Sequence, residues 1–265
     1  MKIAIFIFTL AITLSSCKKE ENTNGNTSFV PALNYDCRIE KQTFFIKDEP
    51  ENKQVKEYDY DNYGRLIKIT SKYFGFVNPN DSTELLYDAK SRLKFIRSSP
   101  GNDTTEIFYY DNQNRIIEAH SIDLDTANEI YYYSYQGSNK DPFEVLFNNL
   151  SLSKTSLYAL EWSSGNLISS RKIEEDNIPI ANPIMIEHTY DNMVNPFKQI
   201  GYSSNTLFNS LNSRNNLLEM NSIGDGSSNI ISRKYSYNQH NYPITIEEIT
   251  FSGDVYIREL EYSCN

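Results

Sequence analysis

The chain has 265 residues, with 35 Asp and Glu against 25 Lys and Arg, and a formal net charge of −10. Binding to a phosphate backbone needs a concentration of Lys and Arg that this composition does not offer, so nucleic acid is excluded as a partner class. The acidity serves solubility.

The N-terminus carries Lys2, then the apolar run Ile3 to Ile12 interrupted only by Thr9, then Leu14-Ser15-Ser16-Cys17. A helix needs about 20 apolar residues to cross the hydrocarbon core. The run is too short, so residues 1–16 read as an export signal and not as a retained span. Lys18, Lys19, Glu20 and Glu21 follow, and then the polar stretch Asn22 to Ser28, so that 17–33 form a flexible tether ahead of a domain at 34–265. Leu14-Ser15-Ser16-Cys17 resembles the lipobox of bacterial lipoproteins, which implies cleavage before Cys17 and a diacylglycerol on its sulfur. Several acyl chains on one residue hold a protein firmly to a membrane. The charged residues after Cys17 are similar to the signals that carry Bacteroidetes lipoproteins to the outer face of the outer membrane, although a plain solvated linker has the same composition. The resemblance implies an outer-membrane lipoprotein, exposed at the cell surface or on the periplasmic side.

Internal repetition organises the rest. Clear copies of one unit begin at Tyr60-Asp61-Asn62-Tyr63-Gly64-Arg65-Leu66, Tyr87-Asp88-Ala89-Lys90-Ser91-Arg92-Leu93 and Tyr110-Asp111-Asn112-Gln113-Asn114-Arg115-Ile116. Weaker copies begin at Tyr135, Trp162, Tyr190 and Tyr237, spaced roughly 25 residues apart except for one gap near twice that length. A degenerate copy, Asn212 to Met220, lies in that gap, and Tyr262 opens a final half-unit. Each unit reads as a β-hairpin, with strand formers flanking a turn. The fourth residue after the tyrosine is Gly64, Ser91, Asn114 or Asn241, and Gly and Asn tolerate the left-handed backbone of a hairpin loop closed by a bulge. The expected fold is all-β, a long antiparallel meander of about 14 to 18 strands in a curved or rolled sheet. In Arg65 to Thr70 the alternation places Leu66 on one face and Ile67 and Ile69 on the other. A transmembrane barrel is the competing architecture, and the charges scattered through the strands argue against it.

The Tyr60-Asp61 and Gly64-Arg65-Leu66 steps resemble the YD-repeat group, and the likeness extends from about Tyr58 to Tyr262. It is greatest to YD-like repeat lipoproteins of unknown function from Bacteroidetes. Large YD-repeat proteins form shells around a second domain, for which this chain is too short.

No catalytic residue, cofactor motif or metal motif is present. His120, His188 and His240 lie in separate repeats and read as surface or turn residues, and neither a phosphate loop nor a G-x-S-x-G elbow occurs. Local carboxylate clusters at Asp123 with Asp125, Glu174 to Asp176, and Glu247 with Glu248 keep a carboxylate-pair glycoside hydrolase on a β-repeat scaffold as the enzymatic alternative. The 20 Tyr and 14 Phe mostly recur at repeat positions. Aromatics off that register, namely Tyr73, Phe74 and Phe76 and the run Tyr131, Tyr132 and Tyr133, are the candidate binding rings, since exposed rings stack on sugars or anchor a partner. The sequence therefore points to a noncatalytic cell-envelope lipoprotein, membrane-bound through its lipid, that binds a glycan, peptide or protein, or else serves a structural or assembly role. Cys37 and Cys264 remain once Cys17 is lipidated. They either join in an oxidising compartment or stay as buried thiols, because a flat meander would hold them beyond the roughly 7 Å that a disulfide permits.

Overall fold

The structure is a computed structural model that describes residues 36–75, 80–99, 103–123, 126–199, 213–224 and 227–264. Cys17 and the stretches expected to be an export segment, 1–16, and a tether, 17–33, lie outside the described residues. Strands β1 (Cys37–Ile46), β2 (Glu49–Tyr60), β3 (Leu66–Phe74), β4 (Asp81–Tyr87) and β5 (Leu93–Ser99) open an antiparallel meander. It continues through β6 (Asp103–Tyr110), β7 (Ile116–Asp123), β8 (Thr126–Ser134), β9 (Glu144–Asn149), β10 (Lys154–Ser163) and β11 (Asn166–Glu175). The two-residue β12 (Ile178–Pro179) pairs with β11 alone, and β11 also pairs with β13 (Met185–Val194). β14 (Asn215–Gly224), β15 (Ser227–Tyr237), β16 (Pro243–Ile249) and β17 (Val255–Cys264) complete the order.

β1 pairs with β17 as well as with β2, so the meander closes into an antiparallel barrel of 16 strands. The rolled sheet expected from sequence is thus corrected to a closed one. Among the described residues every strand except β12 has a partner on each side, so closure removes the open edges of the sheet. Among the described residues there is no α-helix, only a 3-10 turn at Pro196–Gln199.

The turns explain the repeat. Asp88 Oδ1 accepts the backbone N–H groups of Lys90 and Arg92 at 2.8 and 2.9 Å, while Oδ2 accepts Arg92 Nε at 2.7 Å. Asp61 with Arg65 and Asp111 with Arg115 repeat this arrangement. Burial works against ionisation of Asp88, but the N–H groups of Arg92 and Lys90 and the guanidinium outweigh it and hold the carboxyl below its ordinary value. Gly64, Ser91, Asn114 and Asn241 all take positive φ, between 60 and 79°. At Gly64 a side chain would also meet Arg38, whose Nη2 lies 2.5 Å from an ideal Cβ.

Six of the repeat tyrosines lock their unit to the one before. The hydroxyls of Tyr60, Tyr87, Tyr110, Tyr135, Tyr190 and Tyr262 donate to the carbonyls of Ile39, Leu66, Leu93, Ile116, Leu167 and Pro243 at 2.6 to 2.9 Å. Trp162 Nε1 does the same to Pro142. The guanidiniums of Arg65, Arg92 and Arg115 lie 4.5 to 4.6 Å from the ring centroids of Tyr87, Tyr110 and Tyr135. The Arg-Leu step therefore supplies a cation for the next ring and a carbonyl for its hydroxyl. In the last full unit this role falls to Tyr235, which donates to Leu217, while Tyr237 donates to Asp191.

The final unit is divided between the termini. Tyr262 of β17 lies opposite Ile39 of β1, whose preceding Arg38 reaches the Tyr60 ring, and Cys37 and Cys264 are joined by a disulfide where other units have a turn. The C-terminal half-unit and the Arg38-Ile39 step make one repeat across the seam.

A register shift between Asp59 and Tyr60 sets two residues of β3 against one of β2. Leu66 and Ile69 consequently both point inward at 3 % exposure, and Ile67 is exposed. This corrects the alternation read from sequence, because the bulge resets the phase. Two inward clusters form the core: one around Ile39, Tyr58, Leu66 and Leu260, and the other around Phe108, Tyr131, Tyr133 and Leu167.

Replacing Asp88 by Ala should cost about 2 kcal/mol, since two turn N–H groups and a guanidinium lose an ionised acceptor. Urea unfolding of the variant against wild type measures it.

Candidate functional site

The ends of the barrel differ. The Tyr-Asp turns, the disulfide and the point where the chain enters β1 share one rim. At the other end, inward residues of β1, β2, β3 and β17 line a hollow of about 180 Å³, formed by Phe44, Ile46, Asn52, Gln54, Tyr73 and Tyr256 together with Phe45. The rings of Phe44 and Tyr256 stack with centroids 5.4 Å apart and an interplanar angle of 7°. Gln54 Nε2 donates to the Tyr73 hydroxyl at 2.8 Å, and that hydroxyl donates to Asp81 Oδ2 at 2.9 Å. Burial, followed by Asp81, raises the Tyr73 hydroxyl above its ordinary value and keeps it a donor. Among the described residues no donor is bonded to Gln54 Oε1 or Asp81 Oδ1. The arrangement offers an apolar ring surface edged by amide, phenol and carboxylate groups.

One layer deeper on the same faces lie Lys56 and Arg258, the Arg258 guanidinium 5.6 Å from the Phe44 centroid. Arg258 and Arg233 share Glu248, with Arg233 Nε donating to Glu248 Oε2 at 2.6 Å and Arg258 Nη2 at 3.5 Å. Burial and then Arg258 lower the Lys56 amine. His188 also points inward. Burial and then Arg233 lower its pKa to about 4, so it is neutral, and it is not the surface residue the sequence suggested.

The sequence-selected rings separate. Tyr73 belongs to the hollow, whereas Phe74 projects outward at 45 % exposure with Lys53 Nζ 5.7 Å from its centroid. Phe76 lies outside the described residues. Tyr131 and Tyr133 are buried inside the barrel, and Tyr132 faces out between Glu118 and Leu146. Phe44 and Tyr256 were missed because one lies before the first clear repeat and the other near the chain's end. Of the carboxylate clusters, Glu247 and Glu248 separate, Glu247 facing out to Lys47 and Glu248 facing in, and Asp125 is outside the described residues.

The entry rim carries two larger hollows. One, of about 610 Å³, lies at the break in the repeat beside Asp191, Lys198 and Arg214. Its Asp191 is engaged by Met193, Asn216 and Tyr237, and its Asn215 by Asn166 and Met193, so these polar groups hold the loop. The other, of about 500 Å³, gathers Asp141, Glu144, Glu161, Trp162 and Arg171.

No protein-family model matches the sequence, and no curated protein matches it. Among solved structures, the chain is similar to a porin-like protein from Bacteroides uniformis, with 12 % identity, TM-score 0.55, and coverage of 86 % of this chain and 98 % of that one. A porin-like protein from Bacteroides vulgatus is similar too, with 15 % identity, TM-score 0.53, and coverage of 86 % and 99 %. At these identities the likeness concerns the fold, a closed antiparallel barrel.

Proposed function

We propose that this chain is a YD-repeat-like outer-membrane lipoprotein, anchored through Cys17, whose barrel stands in water and acts as a noncatalytic binding module for a glycan. The observation that carries this reading is the charge on the outer face of the barrel wall. Lys41 lies between Glu261 and Glu57 in register, pairing with Glu261 at 2.6 Å, and Glu57 pairs with Lys72 at 2.7 Å. Exposed Glu259 and Glu84 extend the belt on β17 and β4. A membrane barrel presents an apolar band about 25 Å tall, and a Lys or Arg at its midplane costs about 2–4 kcal/mol. A belt of this kind suits solvent. The porin-like neighbours share the closed barrel and come from Bacteroides, which agrees with an envelope protein.

The chain enters the barrel at the Tyr-Asp rim, so a lipid tether would leave the aromatic hollow facing away from the membrane. A sugar ring can lay its C–H face on Tyr256 and Phe44 and bring its hydroxyls to Gln54, Asn52 and Asp81. The hollow is small enough for one ring of a longer glycan. Tyr256→Ala should weaken binding by about tenfold or more, the effect of losing an aromatic anchor. Calorimetric titration of neutral cello-, xylo- and manno-oligosaccharides into the full chain tests this. Binding to none of them, or equal binding by the variant, would remove the hollow as the glycan site.

A further inference from the structure

The divided repeat unit at the seam brings together three metal-type ligands that the sequence keeps far apart. Cys37 is buried at 1 % exposure and Cys264 is exposed. The turn between β15 and β16 delivers His240 so that one ring nitrogen and the two sulfurs all lie within 4.8 Å of one another. Rigid elements hold each of the three. Cys37 and Cys264 are register partners on β1 and β17. The His240 turn is fixed by Asn238 Oδ1, which accepts the N–H groups of His240 and Tyr242 at 3.0 Å each, and by Asn241 at φ 62°.

Zinc binds thiolate at about 2.3 Å and imidazole at about 2.0–2.1 Å in a tetrahedron, which sets ligand atoms roughly 3.5–3.8 Å apart. While the disulfide is intact its sulfurs have no thiolate to offer. Once it opens, the sulfurs separate towards that spacing, and the ring nitrogen is already close. Backbone pairing between β1 and β17 holds the two cysteines side by side, and the Asn238-braced turn holds His240 beside them, which is the preorganisation a metal site needs.

We propose that reduction of the Cys37–Cys264 bond by a dithiol turns the seam into a zinc site, with Cys37 Sγ, Cys264 Sγ and a His240 ring nitrogen as protein ligands and water in the fourth position. The dithiol is oxidised to its own disulfide, and its two electrons and two protons convert the cystine into two thiols. Zinc then displaces both thiol protons, which pass to solvent. The barrel keeps a clasp across its seam in both redox states. Three protein ligands with an open position on the exposed Cys264 side are the arrangement of zinc sites that admit a further ligand.

The test uses the full chain carrying Cys17→Ser, so that only these two thiols remain. It is reduced with dithiothreitol in the absence of oxygen, freed of reductant and titrated with Co2+. The expected result is one Co2+ per chain with a near-ultraviolet thiolate-to-metal band, discharged by Zn2+, and no such band from unreduced protein. His240→Ala, which leaves the disulfide intact, should bind Co2+ about tenfold more weakly or worse after reduction, because one of three ligands is gone. Absence of the thiolate band in reduced protein, or equal affinity of the His240→Ala variant, would overturn the proposal.

Discussion

Removing the seam disulfide, by Cys37→Ser together with Cys264→Ser, should lower the unfolding free energy by about 5 kcal/mol, because the bond closes nearly the whole domain into one loop in the unfolded state. The figure is entropic and belongs to the unfolded chain. In the folded barrel β1 and β17 stay paired along their length, from Cys37 opposite Cys264 to Ile46 opposite Tyr256. The variant should therefore keep its β-sheet signal at low denaturant and unfold at a lower midpoint. Guanidinium titration followed by far-ultraviolet circular dichroism measures the shift. An unchanged midpoint would mean that the bond contributes nothing to closure.

Glu248→Ala should be comparably severe, at about 3–5 kcal/mol, since removing one partner of a buried ion cluster leaves uncompensated charge. Glu248 is the carboxylate shared by Arg233 and Arg258, and the three side chains are only 13, 16 and 21 % exposed. Burial, and next the charge of Arg233, already push the Arg258 guanidinium below its ordinary value, so the loss of Glu248 leaves two like charges facing each other inside the barrel. Converting the whole cluster to apolar residues of similar volume, Glu248→Leu with Arg233→Met and Arg258→Met, should recover much of the loss. Urea unfolding of the two variants separates a cost of broken pairing from a cost of lost packing. If the single variant were as stable as wild type, the cluster would contribute nothing.

What could be read from the sequence was local. The Asp-x-x-Gly-Arg and Asp-x-x-Asn-Arg turns place Gly64 and Asn114 where a left-handed residue is required, and both positions have positive φ. The meander itself follows from repeating those turns. Closure was legible only as the condition for a Cys37–Cys264 bond, because the repeat across the seam depends on Arg38-Ile39 completing the half-unit that Tyr262 begins at the far end of the chain, and Arg38-Ile39 carries no Tyr-Asp signature. The phase of Ile67 and Ile69 was misread for a related reason: a bulge spends one extra residue without altering composition. Strict alternation does account for Tyr131 and Tyr133 pointing in while Tyr132 points out. Of the aromatic hollow only Tyr73 was visible in advance. Gln54 and Phe44 reach it through consecutive strands, β2 beside β3 and β1 beside β2, whereas Tyr256 arrives across the β1–β17 seam, a contact that no local pattern encodes.

The claim that this barrel stands in water and is held to a membrane only by its lipid is tested most directly by fractionating cells that express the full chain with Cys17→Ser. The variant should leave the membrane fraction and purify without detergent as a monomer with an all-β circular dichroism spectrum, because the outer belt of Lys41, Glu57, Lys72 and Glu261 is compatible with solvent and the acyl chains supply the membrane affinity. Retention of the variant in the membrane fraction, extractable only with detergent, would show instead that the barrel wall itself lies in the bilayer.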